Sequence, residues 1–213
     1  MNYIAERRQE EKERRRAEIL DAAEAVCAVV GWDDMTMDQV ARKARLSRAL
    51  LYVYFKDKQD LLFGLCERAL GILGQRFTEA VSRQKRGFEQ MLAIGRAYVA
   101  FSQEFPVYFE VVARCEVLTP EPEMETNEAA VLHQGDQARG LMVGVIERGI
   151  RDGSIRPDVG DAKVVSTALW GFMHGVLQLA STKANVLAHD GVNVKELVEQ
   201  ALLMSARSLE AKA

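Results

Sequence analysis

The chain is poor in the residues that build metal and disulfide sites. Its 213 residues include only three cysteines and three histidines. Cys27, Cys66 and Cys115 lie far apart within helical patterns, without disulfide or zinc spacing, so we interpret them as small core residues; a redox switch is the remote alternative. The three histidines share no ligand spacing. We therefore expect no metal site and no cofactor.

Motifs of common enzyme classes are also missing. The sequence contains no phosphate-cradling G-x-x-x-x-G-K, no G-x-S-x-G nucleophile turn and no E-x-x-H metal motif. Its isolated carboxylates fall on helical faces, where they promote solubility. We predict that the protein is not an enzyme and has no catalytic residues.

Long apolar runs are absent as well. None approaches the run of about 18 residues that suggests a membrane span, and the amino terminus, MNYIAERRQEEKERRR, is too charged for a signal peptide. We expect a cytoplasmic protein that does not enter a membrane.

Helical periodicity fills most of the chain, and no strand pattern or repeat stands out. One predicted helix ends at Gly31 and a connecting helix runs from after Asp57 to about Val81. Further helices are predicted over residues 88–104, 106–118, 127–151, 161–182 and 194–209, with a loop, TPEPEMET, in the middle. The fold class is therefore all-α.

The most informative segment runs from Thr36 to Leu62 and reads TMDQVARKARLSRALLYVYFKDKQDLL. It begins with an apolar stripe at helical spacing, which Thr36 caps together with Gln39 three residues later. Ser47 is the natural cap of a second helix. This pattern is typical of a helix-turn-helix. We expect its inward side chains to be Leu50, Leu51 and Phe55, and its outward ones to be Arg48, Ala49, Tyr52 and Tyr54.

Charge is concentrated on the same segment. Residues 42–58 carry six basic side chains and one acidic side chain, whereas the whole chain has 28 basic and 31 acidic residues. Such a patch would neutralise DNA phosphates and make binding sensitive to salt. The bland alternative is a solvated charged face.

This segment resembles the TetR family of transcriptional regulators, whose pattern is T-x-x-x-[IV]-A-x-x-A-G-V-S-x-G-x-[LF]-Y-x-[HY]-F-x-x-K-x-x-L. The matching positions are Thr36, Val40, Ala41, Ala44, Ser47, Leu51, Tyr52, Tyr54, Phe55, Lys58 and Leu61. By this resemblance Thr36, Tyr52, Tyr54 and Lys58 contact phosphates, and Ser47, Arg48 and Ala49 meet base edges or backbone.

Two glycines of the family pattern are replaced. Arg45 stands at the turn glycine and Ala49 at the glycine that admits close approach to DNA. The turn position favours φ > 0, where a side chain costs about 1–2 kcal/mol. Either the turn is rearranged or Arg45 adds a contact to DNA; our hypothesis is the contact.

The segment DGSIRPDVGDAKVVSTALWGFMHGVLQLA resembles the body of TetR-type regulators, in which two helices and their copies form a four-helix dimer interface. Gly171 and Gly175 would admit close packing of helices. An internal helix of a monomer is the alternative. The apolar residues that the resemblance assigns to the dimer interface are Val165, Leu169, Phe172, Val176, Leu179, Leu197, Val198, Ala201 and Leu202.

TetR-type bodies also hold a largely apolar ligand cavity, and this chain has aromatic and sulfur-bearing residues to line one. Each of them read singly is also compatible with an ordinary core position. The candidate ligand-binding residues are Tyr98, Phe101, Phe105, Tyr108, Phe109, Met142, Trp170, Met173 and His174.

The resemblance implies three segments: an amino-terminal extension (1–13), a three-helix DNA-binding head (14–57) and a ligand-binding and dimerisation body (58–213). It further implies a homodimer, most often a repressor, that binds a palindromic double-stranded DNA operator and is released by an apolar or amphipathic small molecule. The alternative is a constitutively bound or architectural DNA protein without an effector. A helix is one expectation for the basic extension, and its basic residues are either a minor-groove arm or part of a frayed, solvated tail.

Overall fold

The computed structural model describes residues 3–117 and 126–211, and the expected all-α fold is confirmed in these ranges. No strand is present in them. The helices are α1 (Tyr3–Asp34), α2 (Met37–Lys43), α3 (Arg48–Tyr54), α4 (Lys58–Ser82), α5 (Gly87–Glu104), α6 (Pro106–Arg114), α7 (Asn127–Arg151), α8 (Ala162–Thr182), α9 (Ala184–His189) and α10 (Val194–Leu209).

The helices group into two compact units. Unit 1 comprises residues 1–70 and 106–133, and unit 2 comprises residues 71–105 and 134–213. The amino-terminal head therefore packs as one unit with the start of α4, all of α6 and the start of α7. This grouping differs from a boundary at Asp57, because α6 returns to the head helices after α5 and no local pattern in the sequence signals such a return.

Unit 1 is built around the helix-turn-helix. Ile19 and Leu20 of α1, Val40 of α2, and Leu51 and Phe55 at α3 are almost completely buried together in its core. Burying each such side chain stabilises the fold by about 1.5–3 kcal/mol. The inward residues of α2 and α3 thus fix which faces of these short helices remain outside.

Polar contacts join α1 to the other helices of unit 1. Arg16 pairs with Glu67 at 2.6 Å, and the Tyr108 hydroxyl donates to Glu24 at 2.5 Å. Arg114 of α6 holds the Asp33 carboxylate with two nitrogens at 2.9 and 3.0 Å. Such a bidentate contact fixes orientation as well as distance.

The expected end of the first helix at Gly31 is confirmed as a break. Gly31 has φ of 78°, a left-handed conformation that ends the regular α1 geometry one turn before Asp34. Upstream, α1 is helical from Tyr3, so the basic extension continues this helix, as one of the expectations had it.

Unit 2 depends on a close approach between α5 and α7. A Cβ placed on Gly87 would lie 2.3 Å from backbone atoms of Gly149, so α5 tolerates no side chain at this position. The buried Gln90 amide donates to the carbonyls of Val81 and Gln84, and it accepts from Arg148 at 2.6 Å. These contacts fix the turn between α4 and α5.

Most predicted helix bounds agree with the structure to within one residue. The third body helix, α6, ends at Arg114, short of the expected Leu118, which lies outside the described residues. The predicted loop TPEPEMET also lies outside them apart from Thr126. The short helix α9 was not predicted, because a six-residue helix shows less than two turns of periodicity.

Helix α8 is the apolar helix of unit 2. Asp161 caps it by accepting from the backbone N–H groups of Lys163 and Val164 at 2.9 and 3.0 Å. Although no long apolar run was expected, α8 is long and apolar enough to cross a membrane by length and composition, since valine, leucine, alanine, phenylalanine and methionine raise its mean hydropathy. Only 17% of its most apolar 18-residue window is buried within the protomer.

Candidate DNA-binding surface and effector cavity

The two caps of the helix-turn-helix are present as expected. The backbone N–H of Gln39 donates to the Thr36 hydroxyl at 3.3 Å, and the N–H of Thr36 donates to the Gln39 side chain at 2.7 Å. The N–H of Leu50 donates to the Ser47 hydroxyl at 3.2 Å. Thr36 and Ser47 therefore hold the starts of α2 and α3, from where their exposed side chains also face solvent.

Helix α3 presents a mixed basic and aromatic face. Arg48, Ala49 and Tyr52 are exposed as expected, and Tyr54 is partly exposed. Leu50 was expected to point inward but is 37% exposed. Leu51 and Phe55 take the core positions one turn apart, which turns Leu50 about 100° away from the core.

The outer face of α3 also includes Val53, which is 77% exposed. An exposed apolar side chain beside Tyr52 suits contact with a thymine methyl group. Its signal in the sequence was its position, one residue from each of two outward tyrosines.

Arg48 is held in place on this face. Its Nε lies 3.2 Å from a carboxylate oxygen of Asp38, and its guanidinium carbon lies 5.6 Å from the centre of the Tyr52 ring. A hydrogen bond with Tyr52 and then the charge of Asp38 raise the pKa of Arg48 above its usual value. The guanidinium is thus charged and oriented before any DNA arrives.

Lys58 lies in the first turn of α4 and is held by the end of α1. Its ammonium group donates to the backbone carbonyl of Asp33 at 3.0 Å and lies 5.1 Å from the centre of the Trp32 ring. The Asp33 side chain is itself fixed by Arg114. The position of Lys58 therefore depends on contacts from α1 and, through Asp33, α6.

Arg45 keeps the left-handed turn that the family pattern assigns to glycine. Its φ is 57°, so the turn is not rearranged to suit the side chain. Arg45 is exposed, with strain of about 1–2 kcal/mol for a residue that has a Cβ. The cost makes a compensating role for the side chain worth testing.

Tyr54 borders a cleft beside the amino-terminal half of α1. Four basic residues of that helix share the cleft with the tyrosine: Arg7, Arg8, Lys12 and Arg14. Glu10 and Glu11 also line it, so its charge is mixed. The basic residues extend the positive surface of the helix-turn-helix along α1.

Unit 2 contains a narrow apolar cavity of about 50 Å³. It lies among residues of α4, α5, α7, α8 and α10, and no charged side chain lines it in the described part of the chain. The lining residues are Phe77, Phe88, Met91, Leu92, Ile94, Gly95, Tyr98, Met142, Leu169, Trp170, Met173, Leu202, Ser205, Ala206 and Leu209.

The structure gathers four of the nine candidate ligand-binding residues at this cavity: Tyr98, Met142, Trp170 and Met173. His174 lies beside it, with its Nδ1 2.6 Å from the Tyr98 hydroxyl. Phe101 is fully buried, and Phe105 packs against it at 5.6 Å between ring centres, away from the lining.

Tyr108 and Phe109 are placed elsewhere, in the core of unit 1. The Tyr108 hydroxyl bonds Glu24 and lies 3.4 Å from Arg68, so this aromatic ring serves the packing of α6 against α1. The lining residues that were not predicted lie mainly on α5 and include Phe88, Met91 and Leu92. Their helical spacing could have revealed that they share one face.

One hydrogen-bonded group of aromatic residues lies at the wall of the cavity. The Trp170 indole N–H donates to the Tyr98 hydroxyl at 3.3 Å, and that hydroxyl is shared with His174. Burial raises the pKa of Tyr98 to about 12 and lowers the pKa of His174. Both side chains are therefore neutral near pH 7, which keeps the wall uncharged.

The candidate dimer residues fall into three groups. Phe172 and Leu179 on α8 are 40% and 50% exposed, while Val165, Val176 and Leu197 are partly exposed. Val198 and Ala201 are buried within the protomer, and Leu169 and Leu202 line the cavity. Packing of α10 against α5 and α8 accounts for the last two groups.

Two residues of α10 that were not predicted, Leu203 and Met204, are 41% and 52% exposed. Together with Phe172 and Leu179 they form what we call the apolar α8–α10 face. A Cβ added at Gly171 or Gly175 would meet nothing within 4 Å in the protomer.

Among the described residues no group of three histidine, cysteine, aspartate or glutamate side chains is arranged to hold a metal ion. The two surfaces with a recognisable chemistry are therefore the basic α3 face and the apolar cavity with its adjoining helices.

Two family models match the chain. The model described as "Bacterial regulatory proteins, tetR family" matches residues 19–65, and the model described as "Tetracyclin repressor-like, C-terminal domain" matches residues 91–204. The second match alone spans more than half of the chain.

Individual relatives agree with the family models. The chain is 22% identical over 155 residues to the fatty acid metabolism regulator protein of Bacillus subtilis, covering 72% of this chain and 77% of that protein. A Rhodococcus sp. RHA1 protein of unknown function has a TM-score of 0.72 at 25% identity, covering 92% of this chain and 95% of the other.

A third match is the transcriptional regulator FadR of Bacillus subtilis, solved in complex with stearoyl-CoA. It has a TM-score of 0.68 at 18% identity and covers 90% of this chain and 98% of that one. At this identity the likeness establishes a shared fold.

Proposed function

Because the chain belongs to the TetR family of bacterial regulatory proteins, we propose that it is a cytoplasmic repressor that binds an inverted-repeat operator as a homodimer. Regulators of this family bind operator DNA as dimers and respond to small molecules. The single observation that carries the proposal is the α3 face, where an oriented Arg48 lies beside the exposed Tyr52 on a helix-turn-helix with both caps in place.

On DNA, α3 enters the major groove with its amino-terminal residues toward the bases. Arg48 offers two donors, which suit the O6 and N7 acceptors of guanine. Thr36, Tyr52, Tyr54 and Lys58 bind phosphates around the groove, and Ser47, Arg45 and Ala49 approach the DNA at the start of α3. Phosphate contacts position the head, whereas Arg48 reads sequence.

The dimer forms through the apolar α8–α10 face. Its exposed large residues carry no charge, and Gly171 and Gly175 leave room for a second helix. Pairing two such faces buries apolar surface that the protomer leaves in water, at about 25 cal/mol per Å². Two-fold symmetry then sets two α3 helices about one DNA turn apart, which makes the operator an inverted repeat.

The effector occupies the unit 2 cavity. Binding sites for small molecules measure about 300–1,000 Å³, so a cavity of about 50 Å³ must widen when a ligand enters. Widening moves helices α5, α8 and α10, and α8 and α10 also carry the dimer face. A ligand that favours the widened state lowers operator affinity through the coupling free energy between the cavity and the DNA-binding surface. This coupling free energy is about 1–3 kcal/mol in typical cases.

An acyl compound is our leading candidate for the effector. The lining is almost wholly apolar, as a hydrocarbon chain requires. One similar protein is named a fatty acid metabolism regulator, and another was solved with stearoyl-CoA. A hydrocarbon body inside the cavity, with any charged part outside it, agrees with the absence of charge among the described lining residues.

One titration tests the effector role, because Trp170 lies at the cavity wall and is 41% exposed. Stearoyl-CoA is added to the protein bound to operator DNA, and indole fluorescence and DNA release are recorded together. The account predicts that both change over the same concentration range. A fluorescence change with unaltered operator affinity would contradict it.

The narrow cavity also favours a second candidate function, a dimer that stays bound to DNA without an effector. In that case the cavity is only a packing defect of the core. The two functions differ in one outcome of the titration: in the second, no acyl compound alters operator affinity.

A further inference from the structure

The cavity face of α10 is apolar except at one position. Leu202, Ser205, Ala206 and Leu209 follow one another at helical spacing and all line the cavity. Ser205 therefore places a hydroxyl group where its neighbours on the same face place hydrocarbon.

The hydroxyl group of Ser205 forms no hydrogen bond with the described part of the chain. The Ser205 Oγ is buried, and among the described residues no atom lies within hydrogen-bonding distance and geometry of it. By contrast, the other serine hydroxyls of α10 and α8 bond to backbone carbonyls of their own helices, as Ser208 does to the Ser205 carbonyl at 2.7 Å. A buried polar group without a partner is rare in proteins and destabilises the fold.

Water does not account for the hydroxyl satisfactorily. A bound water molecule needs two to four polar partners. The other polar groups of the lining, the Trp170 indole and the Tyr98 hydroxyl, already bond to each other and to His174. Ser205 would have to hold a water molecule almost alone, against Leu202 and Leu209.

We propose that Ser205 is the polar subsite of the effector cavity, and that it binds one uncharged oxygen, a carbonyl or hydroxyl, on an otherwise hydrocarbon ligand. This inference rests on the proposed effector role of the cavity. An ionised group is excluded from the same place, because no charged side chain lines the described cavity and burial of an unpaired charge is costly. An acyl ester or thioester, a ketone or a fatty alcohol has the required oxygen, whereas a free carboxylate does not.

Matched probes test the subsite. The ligands are 2-octanone, 1-chlorooctane and octanoate, and the proteins are the wild type, Ser205→Ala and the control Ser208→Ala. We expect the wild type to bind 2-octanone about fivefold more tightly than either other ligand, because one hydrogen bond has a net worth of that order. Ser205→Ala should lose this preference over 1-chlorooctane and Ser208→Ala should keep it.

A second readout uses the ligand-free proteins. Both substitutions gain helix propensity, but only Ser205→Ala also removes an unsatisfied buried hydroxyl. Ser205→Ala should therefore melt about 2 °C higher than Ser208→Ala. A lower melting temperature for Ser205→Ala would mean that the hydroxyl is already satisfied, and would overturn the proposal, as would an undiminished preference for the ketone.

DNA release, measured in the same titrations, separates this inference from the proposed function. Ketone binding that depends on Ser205 but leaves operator affinity unchanged would retain the subsite and reject the effector role. DNA release that is equal in the wild type and Ser205→Ala for all three ligands would retain the effector role and reject the subsite.

Discussion

Helices α3 and α8 both expose apolar side chains, but the surroundings of these side chains differ. On α3, the exposed Val53 and Tyr52 stand beside Arg48 within a segment that carries six basic residues. On α8, the exposed Phe172 and Leu179 stand beside glycines, and no charged residue lies between Lys163 and Lys183.

We expect this difference to correspond to two kinds of partner. A charged surface with some apolar side chains matches a polyanion whose groove also presents methyl groups. An uncharged surface with small residues matches another apolar surface and gains its affinity from burial. The exposed fractions of the apolar side chains alone would not distinguish α3 from α8.

The largest effect is expected from placing a charge on the α8 surface. Phe172→Glu should dissociate the dimer, because the carboxylate would be buried without a partner. Operator affinity should fall about 100-fold or more, since two linked heads bind that much better than separate ones. Sedimentation and DNA-binding titrations measure the two effects.

Gln103→Glu is the control for this substitution, because it adds the same charge to an exposed position of α5. It should remain dimeric. A dimeric Phe172→Glu protein with normal DNA binding would mean that the exposed α8 surface is not the dimer interface.

The next largest effect is expected at Arg48 and Lys58, which have different roles in the proposed DNA binding. Arg48→Ala should cost about 1–3 kcal/mol on the preferred operator and relax discrimination at one base pair. Lys58→Ala should weaken binding to all DNA sequences alike. It should also reduce the slope of log affinity against log salt concentration by about 1. Binding to a panel of operator variants at two salt concentrations distinguishes these roles, and identical profiles for the two proteins would refute them.

A smaller effect is expected at the turn. Arg45→Gly should stabilise the fold by about 1 kcal/mol, because glycine accepts φ of 57° without strain. If Arg45 contacts DNA, operator affinity and its salt dependence should fall at the same time. Arg45→Asn, which tolerates the conformation but lacks the charge, should show the same loss of affinity. Unchanged affinity in both variants would reject the contact.

The smallest effect is expected for His174 on the inner side of α8, where protonation changes the stability of the protein. Burial lowers the pKa of His174, so the folded protein binds fewer protons than the unfolded chain, whose histidine has a pKa of about 6.5. The contribution of His174 to the free energy of unfolding is therefore fully present above about pH 6.5 and declines as the pH falls below this value. The melting temperature should drop less between pH 7 and pH 5 in His174→Gln than in the wild type.

The exposed His189 provides the control for this titration. His189→Gln should retain the pH dependence of the wild type. If the melting temperature of His174→Gln depended on pH as that of the wild type does, protonation of His174 would not limit the stability of the folded protein.

Local features were predictable from the sequence. The cap of α2 depends on two residues, Thr36 and Gln39, that are three positions apart, and short-range spacing carries this information completely. The left-handed turn at Arg45 followed from the family pattern, and the break at Gly31 from the conformational freedom of glycine.

Long-range packing was less predictable. Leu169 and Leu202 were assigned to a dimer interface but line the cavity, because hydrophobic periodicity identifies a buried face without identifying what covers it. Tyr108 was assigned to the ligand site, yet α6 packs with the head, and only the fold reveals this. Ser205 had a readable signal, a hydroxyl within the apolar stripe of α10.

The most direct test of the account is a footprint on the DNA next to the protein's own gene. The account predicts two protected segments related by an inverted repeat, with centres about one helical turn apart, and two protomers in each complex. A single protected segment bound by one protomer would contradict it.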